Sequence, residues 1–205
     1  FSNTLQLRFT EGDTQVFAAV KDGSYLTDAT MLRYALWFSY VLLSLPFQCT
    51  LIHSSVIVCR GQAVLFLGES GTGKSTHTRL WLKYIEGSRL LNDDCPAIHI
   101  VEGRPYVSGS PWSGKTACYH NRHFPLRAVV RLSQAPENKI RRLHTLEGFA
   151  SLQPSCPPAL AYDEKCTDAI IELISEVLGT TPVFHLACLP DEAAAQLSFS
   201  TIYPS

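Results

Sequence analysis

A single junction constrains this chain more than any other feature. Gln62 to Leu67 is short, apolar and β-prone, Thr76 to Tyr84 reads as a helix, and between them runs Gly68-Glu69-Ser70-Gly71-Thr72-Gly73-Lys74-Ser75. That segment satisfies G-x-x-x-x-G-K-[ST]. A buried strand feeding a glycine-rich loop and then a helix demands an α/β fold, with the helix packed back over the strand. The residue types suit one task, wrapping a phosphate chain with backbone N–H groups at a helix N-terminus. Gly68, Gly71 and Gly73 allow close approach, and the amides of Glu69, Ser70, Thr72 and Thr76 complete the cradle. Lys74 reaches the β- and γ-phosphates, and Ser75 offers a hydroxyl to Mg²⁺.

Composition narrows the alternatives. The chain has 205 residues, 46% hydrophobic and 17% charged, enough for an ordinary core and about one α/β domain. A formal net charge of −1 provides no bulk attraction to nucleic acid or an anionic membrane, so neither is expected as a partner. Seven cysteines without a C-x-x-C pair, at Cys49, Cys59, Cys95, Cys118, Cys156, Cys166 and Cys188, point to a reducing, cytoplasmic compartment. Neither disulfides nor structural zinc are expected. The most apolar window, Tyr34 to Phe47, is too short for a bilayer span and reads as a buried helix ending at Pro46. A start at Phe1 rather than Met suggests a trimmed or incompletely represented N-terminus.

A single kinase-like P-loop domain over 1–205 is expected, in three parts. Residues 1–49 form a lead-in, with two strands (Leu5, Leu7, Phe9; Val16, Ala18, Val20) around Glu11-Gly12-Asp13 and then the apolar helix. Residues 50–133 form the nucleotide-binding core. There Thr50 to Val58 and Gln62 to Leu67 make a hairpin across Arg60-Gly61. Arg89-Leu90-Leu91 is a strand ending in Asn92-Asp93-Asp94, and Ala97 to Val101 pairs with Pro105 to Val107. Arg127 to Leu132 is a further strand. Residues 134–205 hold a helix from Tyr162 to Leu178 stopped by Gly179, a strand from Val183 to Cys188, and a last helix opened by Pro190-Asp191-Glu192. Gln153 to Pro158 reads as a loop.

Chemistry beside such a loop needs a carboxylate to orient Mg²⁺ and a group to position or deprotonate an acceptor. Asp93 and Asp94, after an apolar strand close behind Lys74, are the candidates. His53, at the start of the hairpin, is the third. The order of His53, hairpin, Gly68 to Ser75, helix, strand and Asp93-Asp94 resembles the HPr kinase/phosphorylase family and its relatives with the phosphoenolpyruvate carboxykinase-like fold. The resemblance covers about His53 to Val107 well and the rest loosely. It implies a central β-sheet with flanking helices. It also implies that His53 and one aspartate assist activation of a serine hydroxyl while the other aspartate helps hold Mg²⁺, without deciding which does which.

The family's later R-x-x-G-x-G-I signature is absent, which removes HPr itself as the expected acceptor. In its place stands Gly109-Ser110-Pro111-Trp112-Ser113-Gly114-Lys115-Thr116, which looks like the small-Pro-Trp-x-Gly motif of HPr-kinase-related proteins of unassigned substrate. Lys115 is either a second cation on the transferred phosphoryl group or a surface lysine after a tight turn. Asn138-Lys139-Ile140-Arg141 lacks the aspartate of N-K-x-D, so guanine specificity is unsupported. His120 and His123 read as a polar connection, and Arg141 and Arg142 as phosphate contacts or a solvated face; none is assigned a role. The expected function is an ATP- and Mg²⁺-dependent kinase acting on a hydroxyl of a small protein, peptide or metabolite, with self-association left open. The competing class is a nucleotide-binding regulatory or assembly protein without phosphotransfer.

Overall fold

In the computed structural model, residues 5–8, 15–20, 29–114, 117–158, 160 and 163–204 are described. At the N-terminus, β1 (Leu5–Arg8) pairs antiparallel with β2 (Phe17–Val20), as the alternation predicts, while the Glu11-Gly12-Asp13 turn lies outside the described residues. Then comes α1 (Ala29–Ser44), closed by a 3₁₀ turn over Leu45–Phe47 that contains Pro46. The expectation of a buried helix fails here. Only Val41 is fully buried, with Trp37, Phe38 and Leu42 beside it against the core, whereas Leu32, Tyr34, Leu36 and Tyr40 face outward. An i, i+4 stripe is all that a helix on one side of a sheet can bury.

The remaining strands are β3 (Cys49–Leu51), β4 (Ser54–Cys59), β5 (Gln62–Leu67), β6 (Arg89–Asp94), β7 (Ala97–Val101), β8 (Arg104–Ser108), β9 (His123–Gln134), β10 (Lys139–Arg142) and β11 (Val183–Cys188). Among the described residues these form one mixed sheet in the order β3-β7-β8-β9-β5-β4-β6, with β11 pairing β9 and β10 pairing β11. The β4–β5 and β7–β8 hairpins turn at Arg60-Gly61 and Glu102-Gly103, with positive φ at both residues of each turn. This is the two-residue geometry that matches strand twist. The expected single strand from Thr50 to Val58 is instead two. β3 pairs with β7 and β4 with β5 and β6, so the chain changes partners at Ile52-His53.

Helices cover both faces of the sheet. They are α2 (Lys74–Tyr84), α3 (Thr145–Leu152), α4 (Glu164–Thr180) and α5 (Glu192–Ile202). Side chains alternate across the central strands: Val56, Val58, Leu65, Leu67 and Val129 join Ile170, Leu173, Ile174 and Val177 of α4 in one core. Ile57, Val64, Phe66, Ala128 and Val130 join Trp81 of α2 and Ala195 and Ile202 of α5 in the other. Strands buried on both faces read as unbroken apolar runs, as β5 does. α4 passes through Gly179 and ends at Thr180, so glycine is not its stop. Pro182 holds the preceding Thr181 in extended backbone, which ends the helix. As expected, Asp191 opens α5, its side chain accepting from the Ala194 N–H.

Candidate active site

α2 begins where β5 ends, so the Gly68 to Ser75 loop stands at the C-terminal edge of a central strand. Gly68, Gly71 and Gly73 have φ of 154°, 82° and 108°, and Gly73 precedes the first helical residue. A left-handed residue there turns the chain sharply enough to enter α2. Lys74 is buried and closes the loop on itself: its Nζ donates to the carbonyls of Gly68 (2.7 Å) and Glu69 (3.2 Å) and lies 3.0 Å from His53 Nε2. Burial pushes the Lys74 ammonium below its ordinary pKa, against the pull of Asp94 and Asp93. Thr72 Oγ1 donates to the Glu69 carbonyl at 2.7 Å, and Gln134 Nε2 reaches the Gly71 carbonyl.

The two aspartates lie within β6, not beyond its end, because β4 pairs with them: Ser55 faces Asp93 and Ser54 faces Asp94. They divide the site between them. Ser75 Oγ donates to Asp93 Oδ1 at 2.9 Å, and Ser55 Oγ donates to the same oxygen. Asp94 Oδ1 lies 3.4 Å from His53 Nδ1, and that contact, ahead of the Lys74 and Arg33 charges, holds the Asp94 carboxyl below the usual carboxylate range. With Lys74 protonated, Nε2 of His53 accepts and Nδ1–H faces Asp94.

His53, Lys74, Ser75, Asp93 and Asp94 therefore share one cleft of about 410 Å³, together with Ser70, Gly71, Gly73 and Thr76. Gly114, the glycine of the small-Pro-Trp-x-Gly segment, also lines it, as do Ser55 and Arg79, which sequence reasoning missed. Arg79, four residues after Ser75 on one helical face, was open to detection by spacing; its Nε donates to the Ser75 carbonyl at 3.0 Å. Ser55 enters through strand register alone. The Gly109 to Gly114 segment is anchored by fully buried Asn92, whose Nδ2 donates to the carbonyls of Ser110 and Trp112. Gly114 N–H donates to the Asp93 carbonyl at 2.8 Å, and a Cβ on Gly114 would sit 2.7 Å from that oxygen. Only glycine permits this approach. Lys115 lies outside the described residues.

The residues left unassigned fall elsewhere. His123 begins β9 and meets the rings of His99 and Tyr106. Arg141 belongs to β10 and pairs with Glu147 at 2.7 Å. The one group of potential metal ligands found among the described residues is His53, Asp94 and Cys95, with ligand atoms within 4.8 Å of one another. Burial raises the Cys95 thiol to about 12, so that side chain is a neutral thiol. All cysteines in the described structure are free. Among the described residues no helix is long and apolar enough to cross a membrane.

Two further pockets adjoin the cleft. One, about 730 Å³ and mainly apolar, lies on the far side of the loop between Leu80, Leu132, Ala135 and Leu189 and shares Gly71, Gly73 and Thr76 with the cleft. The other, about 580 Å³, lies beyond His53 and Asp94. No family model matches the chain, and no curated protein matches it. Among solved structures it is similar to the Hpr(Ser) kinase/phosphatase from Coxiella burnetii, with 12% identity, a TM-score of 0.40, and coverage of 74% of this chain and 92% of that chain. At that depth the likeness says nothing about chemistry.

Proposed function

We propose that the cleft binds ATP by its phosphate chain and transfers the γ-phosphoryl group to a hydroxyl. The observation that carries this reading is the split of the acidic pair, with Asp93 on Ser75 at 2.9 Å and Asp94 on His53 at 3.4 Å, both beside the lysine of the loop. One carboxylate thus serves the metal side and the other the proton side. Ser75 Oγ and Asp93 Oδ1 are hard oxygen donors of the kind that suits magnesium. A bound magnesium ion supplies neutralisation of charge on the phosphate oxygens.

The chain's own groups do the rest. Lys74, drawn from the Gly68 and Glu69 carbonyls and from His53 onto the phosphates, leaves His53 Nε2 with a free lone pair. The acceptor oxygen bonds to the γ-phosphorus as the bond from that phosphorus to the bridging oxygen breaks, and the nucleoside diphosphate leaves with those electrons. His53 Nε2 takes the acceptor's proton, and Asp94 stabilises the resulting imidazolium through Nδ1–H. The nucleoside extends over the apolar pocket beside Leu80 and Leu132. The test is incubation of the protein with magnesium, γ-labelled ATP and a panel of hydroxyl compounds. Label moving to a hydroxyl supports the kinase, whereas nucleotide binding with no transfer to any acceptor favours the regulatory class.

A further inference from the structure

The pocket beyond His53 and Asp94 is walled by Arg33, Tyr34 and Trp37 of α1, by Cys95, and by Trp112 of the anchored segment. Its volume of about 580 Å³ suits a small molecule, and a concave site of this kind is a poor match for the surface of a folded protein. Its inner wall is His53 and Asp94, which also line the phosphate cleft, so the two cavities meet at the groups placed on the proton path.

Its other walls are of two chemical kinds. Trp112 is buried and fixed: its Nε1–H points at the Arg33 carbonyl at 3.4 Å, and its ring lies 5.5 Å from that of Tyr40. Trp37 and Tyr34 add aromatic surface, and Tyr34 is 59% exposed. Arg33 supplies the charge. Its guanidinium donates to the Ser113 carbonyl at 2.9 Å, and it forms no ion pair among the described residues. Among the described residues that contact engages one N–H of a five-donor fork, whose planar geometry suits a carboxylate.

We propose that this pocket is the acceptor site and that it takes a small hydroxy acid with a flat apolar body. The carboxylate lies on Arg33, the body lies against Tyr34, Trp37 and Trp112, and the hydroxyl points to His53 and Asp94. The assignment rests on the kinase reading for its role, but the pocket's ligand chemistry is testable without nucleotide. Two of the protein's three tryptophans, Trp37 and Trp112, line it, so tryptophan fluorescence reports occupancy.

The probe is N-benzoyl-L-serine, which carries all three features, titrated into nucleotide-free protein beside its carboxamide and beside N-acetyl-L-serine. Saturable quenching by the benzoyl acid is expected, with binding at least about tenfold weaker for the carboxamide and for the acetyl compound. Arg33→Met is expected to abolish the preference for acid over amide while Arg33→Lys retains part of it, and Tyr34→Ala, at an exposed position, to narrow the benzoyl-to-acetyl ratio. Equal binding of acid and amide, or no quenching by the benzoyl acid, overturns the assignment. A parallel titration with Mg·ATP separates the two readings: ATP binding without acid recognition overturns the pocket alone, and acid recognition without ATP binding overturns the nucleotide reading alone.

Discussion

Helix α2 presents two faces that solve opposite problems. On its inner face His77 and Trp81 are buried against α5: Trp81 Nε1–H donates to Ser198 Oγ at 2.9 Å and to His77 Nε2 at 3.2 Å, and Phe66 and Phe199 enclose the indole at 5.6 and 5.8 Å. On its outer face Lys74, Ser75 and Arg79 line a cleft, where Lys74 and Ser75 are satisfied by His53, by Asp93 and by loop carbonyls. Both faces are hydrogen-bonded, but the inner partners lie in a dry core while the outer ones border open space that a ligand can enter. Bonded polar groups mark a site only where an incoming molecule can take over their partners.

The contrast is sharpest in what each face loses on substitution. Trp81→Ala is expected to destabilise the fold by about 4 kcal/mol, read by urea denaturation, because it empties a fully buried aromatic site and removes the indole donor shared by Ser198 and His77. Asp94→Asn belongs to the other face. It is expected to lower the transfer rate by about a thousandfold, with ATP affinity within about threefold of wild type and no change in denaturation midpoint. Normal transfer by that variant would remove Asp94 from the proton path.

pH separates the faces as well. Burial depresses the His77 pKa from 6.5 to about 4, so the folded state resists a proton that the unfolded chain accepts. Its contribution is fully present above pH 6.5 and is lost as pH falls toward 4, costing about 3 kcal/mol by the lower end. His77→Gln should flatten that part of the stability profile; an unchanged profile would place the acid sensitivity elsewhere. Smallest is Ser75→Ala, expected to weaken magnesium-dependent ATP binding by about tenfold while leaving metal-free binding nearly unaltered, as measured by calorimetry.

Features set by neighbouring residues were readable in advance. The Arg60-Gly61 and Glu102-Gly103 turns, β5 and the opening of α5 at Asp191 depend on local backbone preference, and all form as expected. Features set by distant partners were not. The break at His53 leaves no local trace because Thr50 to Val58 is β-prone throughout, and only competition between β7 and β5 for it divides the run. Strand β10 is largely exposed and basic, with no apolar alternation to reveal it, and exists through its pairing with β11. The same rule holds in the site. His53, Lys74, Ser75, Asp93 and Asp94 were legible from a motif and an order of elements, and Gly114 from the small-Pro-Trp-x-Gly segment, whereas Ser55 enters through register and Arg33 through a contact across 80 positions.

The central claim is that the outer face of α2 holds the phosphates of ATP. Calorimetric titration of Mg·ATP into the wild-type protein and into Lys74→Ala tests it most directly. The account predicts one-site binding in the wild type and a loss of at least about a hundredfold in the variant, with an unchanged denaturation midpoint showing that the fold survives. Absence of binding by the wild type, or equal affinity in the two proteins, would contradict it.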